Sequence, residues 1–205
     1  MLYDFISENY SKGEPIFLND ISGYSKDYIR QEMKRLTDEG KLERLYNGVY
    51  FLPYTTILGT KGKISIEKYI NSKYLINNDE TIGYYTGLKL ANMFGFTTQN
   101  PATIEVCTNV ATTTQRKKEI DGYQIIEYKP VAVINDTNVS ALRFLDLMAN
   151  IDQYSEIKEG EYKNKLKQFV KKTKVDFNEV KKYVSLYPAK TYKNIYDGDL
   201  MNELV

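Results

Sequence analysis

Few residues in this 205-residue chain are equipped for chemistry, and their types exclude more than they allow. Histidine is absent and Cys107 is the single cysteine. Serine–histidine and cysteine–histidine nucleophiles are therefore closed, as are the commonest zinc sites. A metal would have to be held by carboxylates alone, and Glu67, Asp79 and Glu105 are the ones to weigh. Glu105 lies in "ATIEVCTN" (102–109), which alternates like a strand but lacks the lysine two positions on that metal-dependent nucleases commonly carry. Cys107 stands mid-strand beside Val106 with no base nearby to lower its pKa, the setting of a packing thiol. No glycine-rich phosphate loop is present. Neither an enzyme nor a bound metal or cofactor is expected.

A second set of residues suits a DNA duplex. In "SKDYIRQEMKRLTDEG" (25–40), Ser25 is a good helix N-cap and Gly40 stands where a helix ends. Ile29, Met33 and Leu36 share one stripe, while Asp27, Gln31 and Lys34 project opposite, with Arg30 and Arg35 at the flanks and Lys26 in the first turn. Arg30, Gln31 and Lys34 have the side chains that reach base edges and phosphates. The following "RLYNGVYFLP" (44–53) reads as a hairpin about Asn47-Gly48. A two-residue turn puts Leu45, Tyr50 and Leu52 on one face and Arg44, Tyr46 and Phe51 on the other, leaving Arg44 and Tyr46 free to meet phosphate. A one-residue slip would reverse the faces.

The elements that carry these residues define the class. A first helix over 2–10, an extended Ile16-Phe17-Leu18, a one- to two-turn second helix capped by Asn19, the third helix and the hairpin follow one another. That order predicts a winged helix-turn-helix over 1–54, its third helix in the major groove. The Thr/Gly-rich segment 55–63 reads as a linker. A mixed α/β domain over 64–205 follows, so the chain is expected to be α+β. Its predicted elements are helices at 65–76 and 81–96, a strand at 102–109, a hairpin at 118–128 about Asp121-Gly122, and helices at 138–151, 162–173 and 176–187.

Charge is uneven behind a formal net value of +1. Residues 158–193 hold eleven lysines against four acidic residues, a local excess of +7. Lys163, Lys167, Lys171 and Lys174 could offer a surface to an anionic partner or be simply a solvated face. Residues 1–54 carry seven bases and nine acids, a balance of −2. Phosphate neutralisation supplies most non-specific affinity, so this segment is expected to be a modest, site-selective binder. Apolar runs are too short to span a bilayer, and "MLYDFISENY" has no basic region of a secretory leader. One cysteine fits a reducing compartment, and a cytoplasmic location is expected.

Three stretches, "EGKLERLYNGVYFLP" (39–53), "GYYTGLKLANMFGFTTQNPATIEVCTN" (83–109) and "GYQIIEYKP" (122–130), resemble in order and spacing the AbiEi-type antitoxins of type IV, abortive-infection toxin–antitoxin systems. The resemblance implies a phage-defence antitoxin whose winged helix represses its own operon. It also implies a C-terminal domain, centred on Gly83 to Asn109, that counters a toxin of nucleotidyltransferase fold. Carried onto this chain, it places Ser25, Lys26, Arg30, Gln31, Lys34, Arg44 and Asn47 against operator DNA. The alternative of another class is a winged-helix transcription factor whose C-terminal domain holds a small molecule, which a cavity with converging polar groups would favour.

Overall fold

The structure, a computed structural model, describes residues 1–204, the side chain of Glu159 excepted. It is α+β and divides into two compact units, Met1–Ser72 and Lys73–Val205.

The first unit opens with α1 (Leu2–Asn9) and the two-residue strand β1 (Ile16–Phe17). The expected second helix is reduced to a single 3-10 turn, Leu18–Asp20, with bends to Tyr24. The segment is too short and too rich in Asn, Asp, Ser and Gly to repay a helical nucleus. Helix α2 (Lys26–Asp38) follows, with the Ser25 hydroxyl accepting from the Tyr28 amide at 3.3 Å. Strands β2 (Glu43–Tyr46) and β3 (Val49–Phe51) form the hairpin, and β1 pairs with β3, so the order is β1-β3-β2. Leu2, Ile6, Ile16, Ile29, Met33, Leu36, Tyr50 and Leu52 make one core.

Two details of the hairpin differ from expectation. Tyr46 pairs with Val49 across Asn47-Gly48, but a bulge between Arg44 and Tyr46 breaks strict alternation. The register therefore sets Arg44 opposite Tyr50 and Glu43 opposite Phe51, not Arg44 beside Phe51 as expected, and Phe51 is buried, as is Val49. β3 is the central strand, and the second face of the sheet is covered as well. Phe17, paired with Val49, meets the ring of Tyr69 at 6.0 Å, and Tyr69 belongs to α3 (Ile66–Ile70). The expected linker at 55–63 and boundary at 64 thus differ from the observed division after Ser72. Segment 55–63 is a folded loop, with Thr55 bridged to Lys61 and the Tyr54 hydroxyl donating to the Lys63 carbonyl at 2.8 Å.

In the second unit the predicted helix over 81–96 is split. A tight hairpin, β4 (Ile76–Asn77) and β5 (Glu80–Thr81), leads to β6 (Gly83–Tyr85), and only Gly87–Met93 is helical (α4). Strands β7 (Thr103–Thr108), β8 (Gln115–Ile120) and β9 (Tyr123–Tyr128) complete a sheet of order β6-β7-β9-β8. β7 and β9 are parallel, and the other pairs are antiparallel. The β8–β9 turn is built as read, with Asp121 and Gly122 at φ 50° and 78°. β8 lies at the sheet's edge with Gln115, Arg116 and Lys117 exposed, while Lys118 turns in to Glu127 at 2.8 Å. Helices α5 (Val139–Tyr154), α6 (Glu159–Thr173), α7 (Phe177–Tyr183) and α8 (Lys190–Asp197) pack on a core of Leu90, Phe96, Phe144, Met148, Leu166, Phe169, Val180 and Ile195. No helix among the described residues is long and apolar enough to cross a membrane.

Candidate nucleic-acid interface and a tyrosine-lined cavity

The inward stripe of α2 is as the sequence requires. Ile29, Met33 and Leu36 are 3%, 0% and 0% exposed. The opposite face is polar: Ser25, Lys26, Arg30, Gln31 and Lys34 all reach solvent. Lys26, Gln31 and Lys34 form no side-chain hydrogen bond or ion pair among the described residues, and Arg30 holds only an exposed contact with Asp27 at 3.4 Å. Such a contact contributes little and yields readily to a phosphate. Arg35 differs. Its guanidinium donates to Glu32 at 2.9 Å, which holds that carboxyl below its ordinary range, and also bonds Glu39, whose carboxyl is lowered first by Lys41 at 2.9 Å and then by Arg35. It braces the end of α2 and is already neutralised.

At the hairpin, Arg44 donates to the Asn47 side-chain oxygen at 2.7 Å and to the Tyr46 carbonyl at 3.3 Å. These bonds fold its guanidinium over the turn, gathering Arg44, Tyr46 and Asn47 into one exposed cluster. Sequence reasoning missed one neighbour of the α2 face. Tyr24 and Tyr28, both exposed, stack at 5.5 Å beside Ser25 and Lys26. Their spacing of four around a helix start was the available signal.

Lys163, Lys167 and Lys171 repeat at four-residue intervals on the exposed face of α6, and Lys174 ends it in a left-handed conformation. Lys167 lies 3.3 Å from Asp199, with both side chains in solvent. The carboxylates weighed for a metal do not converge: Glu67 opens α3 in the first unit, Asp79 forms the β4–β5 turn, and no three metal-ligating side chains cluster among the described residues. Cys107 is buried, and burial pushes its thiol up to about 12.

Glu105 instead joins a constellation that the sequence reading did not assemble. A cavity of roughly 320 Å³ is lined by Tyr84 and Thr86 from β6 and its end, Glu105 from β7, Tyr128 from β9, and Asp146, Asn150 and Tyr154 from α5, with Tyr187 beside them. Exposed Lys129 and Val131 mark its mouth. The Tyr128 hydroxyl donates to Glu105 Oε2 at 2.8 Å, and the Thr86 hydroxyl donates to Asp146 Oδ2. Gly87, at φ 59°, opens α4 directly against the Glu105 carboxylate, where a Cβ would collide with Oε1. The signal in the sequence was the polar series Asp146, Asn150, Tyr154 at i, i+4, i+8, one face of a helix whose other faces are largely apolar.

Burial first, and the charge of Glu105 second, push the Asp146 carboxyl up to about 6, against the opposing hydrogen bond from Thr86. Tyr84, Tyr128, Tyr154, Tyr187 and Cys107 face the same region, and all are held neutral by burial. The folded state therefore binds the Asp146 proton more tightly than the unfolded chain does, and stability falls as pH rises from about 4 through about 6. Asp146→Asn abolishes that loss. Its unfolding free energy should match the wild type's near pH 4 and exceed it at pH 7 by about 2–3 kcal/mol, the worth of a two-unit shift. Urea titrations of both proteins across this range check the difference.

No family model matches the sequence, and no curated protein matches it closely.

Proposed function

We propose that this chain is a site-selective DNA-binding repressor whose second unit neutralises a nucleotidyltransferase-fold toxin, an autoregulating antitoxin. The first unit is read as a winged helix-turn-helix whose second helix has shrunk to the 3-10 turn at Leu18–Asp20. The observation that carries this reading is the division of α2: Ile29, Met33 and Leu36 are sealed inward while Lys26, Arg30, Gln31 and Lys34 are exposed outside, Arg30 holding only an exposed contact with Asp27. The Arg44–Tyr46–Asn47 cluster at the hairpin tip supplies the wing, a second point of contact with the backbone. The toxin half rests on the sequence resemblance of residues 39–53, 83–109 and 122–130.

The double variant Arg30→Ala, Lys34→Ala should weaken binding to the protein's own promoter by roughly 10- to 100-fold at constant salt, and flatten the salt dependence by about one to two ion equivalents. Arg35→Ala should change affinity much less. Unchanged promoter affinity in the double variant rejects the DNA-binding assignment. Growth rescue when the chain is expressed with the adjacent open reading frame tests the antitoxin half, which a harmless neighbour would refute.

Reversing Lys167, Lys171 and Lys174 to Glu should reduce either rescue or promoter affinity, because it turns the exposed face of α6 from cationic to anionic. If both are retained in the charge-reversed protein, that face is only a solubilising one.

A further inference from the structure

We infer that the tyrosine-lined cavity of the second unit is a binding site for a small organic cation, a primary ammonium or guanidinium. The inference stands on that unit alone and does not depend on the DNA-binding reading. Both carboxylates of the cavity are half satisfied. Glu105 Oε2 accepts from Tyr128 and Asp146 Oδ2 accepts from Thr86, but neither Oε1 nor Oδ1 receives a hydrogen bond from the protein. Neither oxygen is sealed off without a partner, and both residues line the cavity. No lysine or arginine forms an ion pair with either carboxylate among the described residues, Lys129 standing exposed at the mouth, in contrast to the buried Glu127, which is held by Lys118 at 2.8 Å. Both carboxylates are partly buried, and a pair of partly desolvated carboxylates without a cation from the protein is complementary to a cation from outside it.

The walls narrow the class. Four tyrosines, at 84, 128, 154 and 187, line the space, and aromatic faces attract cations, most strongly where water is excluded. The volume, roughly 320 Å³, is at the small end of ligand cavities and suits a short amine better than a nucleotide or a peptide. A hard divalent ion needs more oxygen ligands than converge there. An anion would meet two like charges. A cation seated between Oε1 and Oδ1 relieves the repulsion between Glu105 and Asp146, so it binds the ionised form of Asp146 and, below neutral pH, displaces its proton.

Calorimetric titration of the full chain with agmatine and with n-butylamine tests this, with n-butanol and butyrate as neutral and anionic controls of similar size. At least one of the two cations should bind, with affinity rising severalfold between pH 5 and pH 7. Heats measured in two buffers of different ionisation enthalpy should show proton release near pH 5.5. Asp146→Asn and Glu105→Gln, which keep shape and remove charge, should each weaken binding tenfold or more with far-UV circular dichroism unchanged. If one variant fails to fold, the other decides. No binding of either cation, equal binding of butanol or butyrate, or undiminished binding in a folded variant overturns the inference.

Discussion

Phe169→Ala should destabilise the second unit by about 3–5 kcal/mol, the range for deleting a fully packed aromatic side chain. Phe169 is 2% exposed, and three rings close on it: Phe94 edge-on at 4.5 Å, Phe96 edge-on at 6.1 Å and Phe144 stacked at 6.4 Å. Those rings come from the α4 end, the loop after it and α5, so the void left by truncation cannot be closed by one neighbour moving. Natural domains have only about 5–15 kcal/mol in hand, so the loss is a large share of the whole. Guanidinium unfolding followed by circular dichroism should then resolve two steps, with the second unit melting first and the first unit's midpoint unmoved. A single transition at the wild-type midpoint would show that the aromatic cluster is not what holds the helices together.

The second large effect is expected from Gly83→Ala. A Cβ at this position would run into the Tyr74 carbonyl oxygen and come within 2.7 Å of the Cys107 carbonyl oxygen and 3.0 Å of the Thr108 Cβ. Two of these obstacles are backbone, in a strand pair whose register is fixed at Gly83↔Thr108. Neither can turn aside as a side-chain tip can. Relief requires β6 to move off β7, at a cost near the top of the ~1–3 kcal/mol typical of overpacking. Because β6 delivers Tyr84 and Thr86 to the cavity, the same variant should also lose amine binding. Gly160→Ala is the control: it sits in α6 with nothing within 4 Å, and alanine there should be neutral or slightly stabilising. Equal melting temperatures for Gly83→Ala and the control would contradict the close approach.

Where local chemistry decided the outcome, the sequence was readable. Helix α2 was legible from Ser25, the Ile29-Met33-Leu36 stripe and Gly40, and the β8–β9 turn from Asp121-Gly122, because caps and turns are satisfied by neighbours in the chain. The elements that failed are those decided at a distance. "TIGYYTGLKLANMFGF" has helix-like apolar spacing throughout, yet Gly83–Tyr85 is drawn into a sheet by β7, which lies twenty residues on. Phe51 followed neither expected partner nor exposure: a bulge sets it opposite Glu43 and Arg44 opposite Tyr50, and it is buried, a register no hairpin pattern announces. The parallel pairing of β7 with β9 has no local signature at all. The exposed polar face of α2 was found because one helix presents it, whereas the cavity was missed because β6, β7, β9 and α5 each contribute only one to three of its groups.

The edge strand β8 has a further consequence for how copies of this protein meet. Its outer row of amide and carbonyl groups is unpaired, which in many proteins is a template on which a second chain can be stitched and fibrils can begin. Here that row is accompanied by Arg116 and Lys117, so an identical strand laid alongside would bring cation against cation. The opposite border, β6, is three residues long before the chain turns into α4, too brief to seed a ladder. Crowded in a cell, molecules of this protein should resist sheet-to-sheet accretion at neutral pH, and neutralising Arg116 and Lys117 would remove that guard.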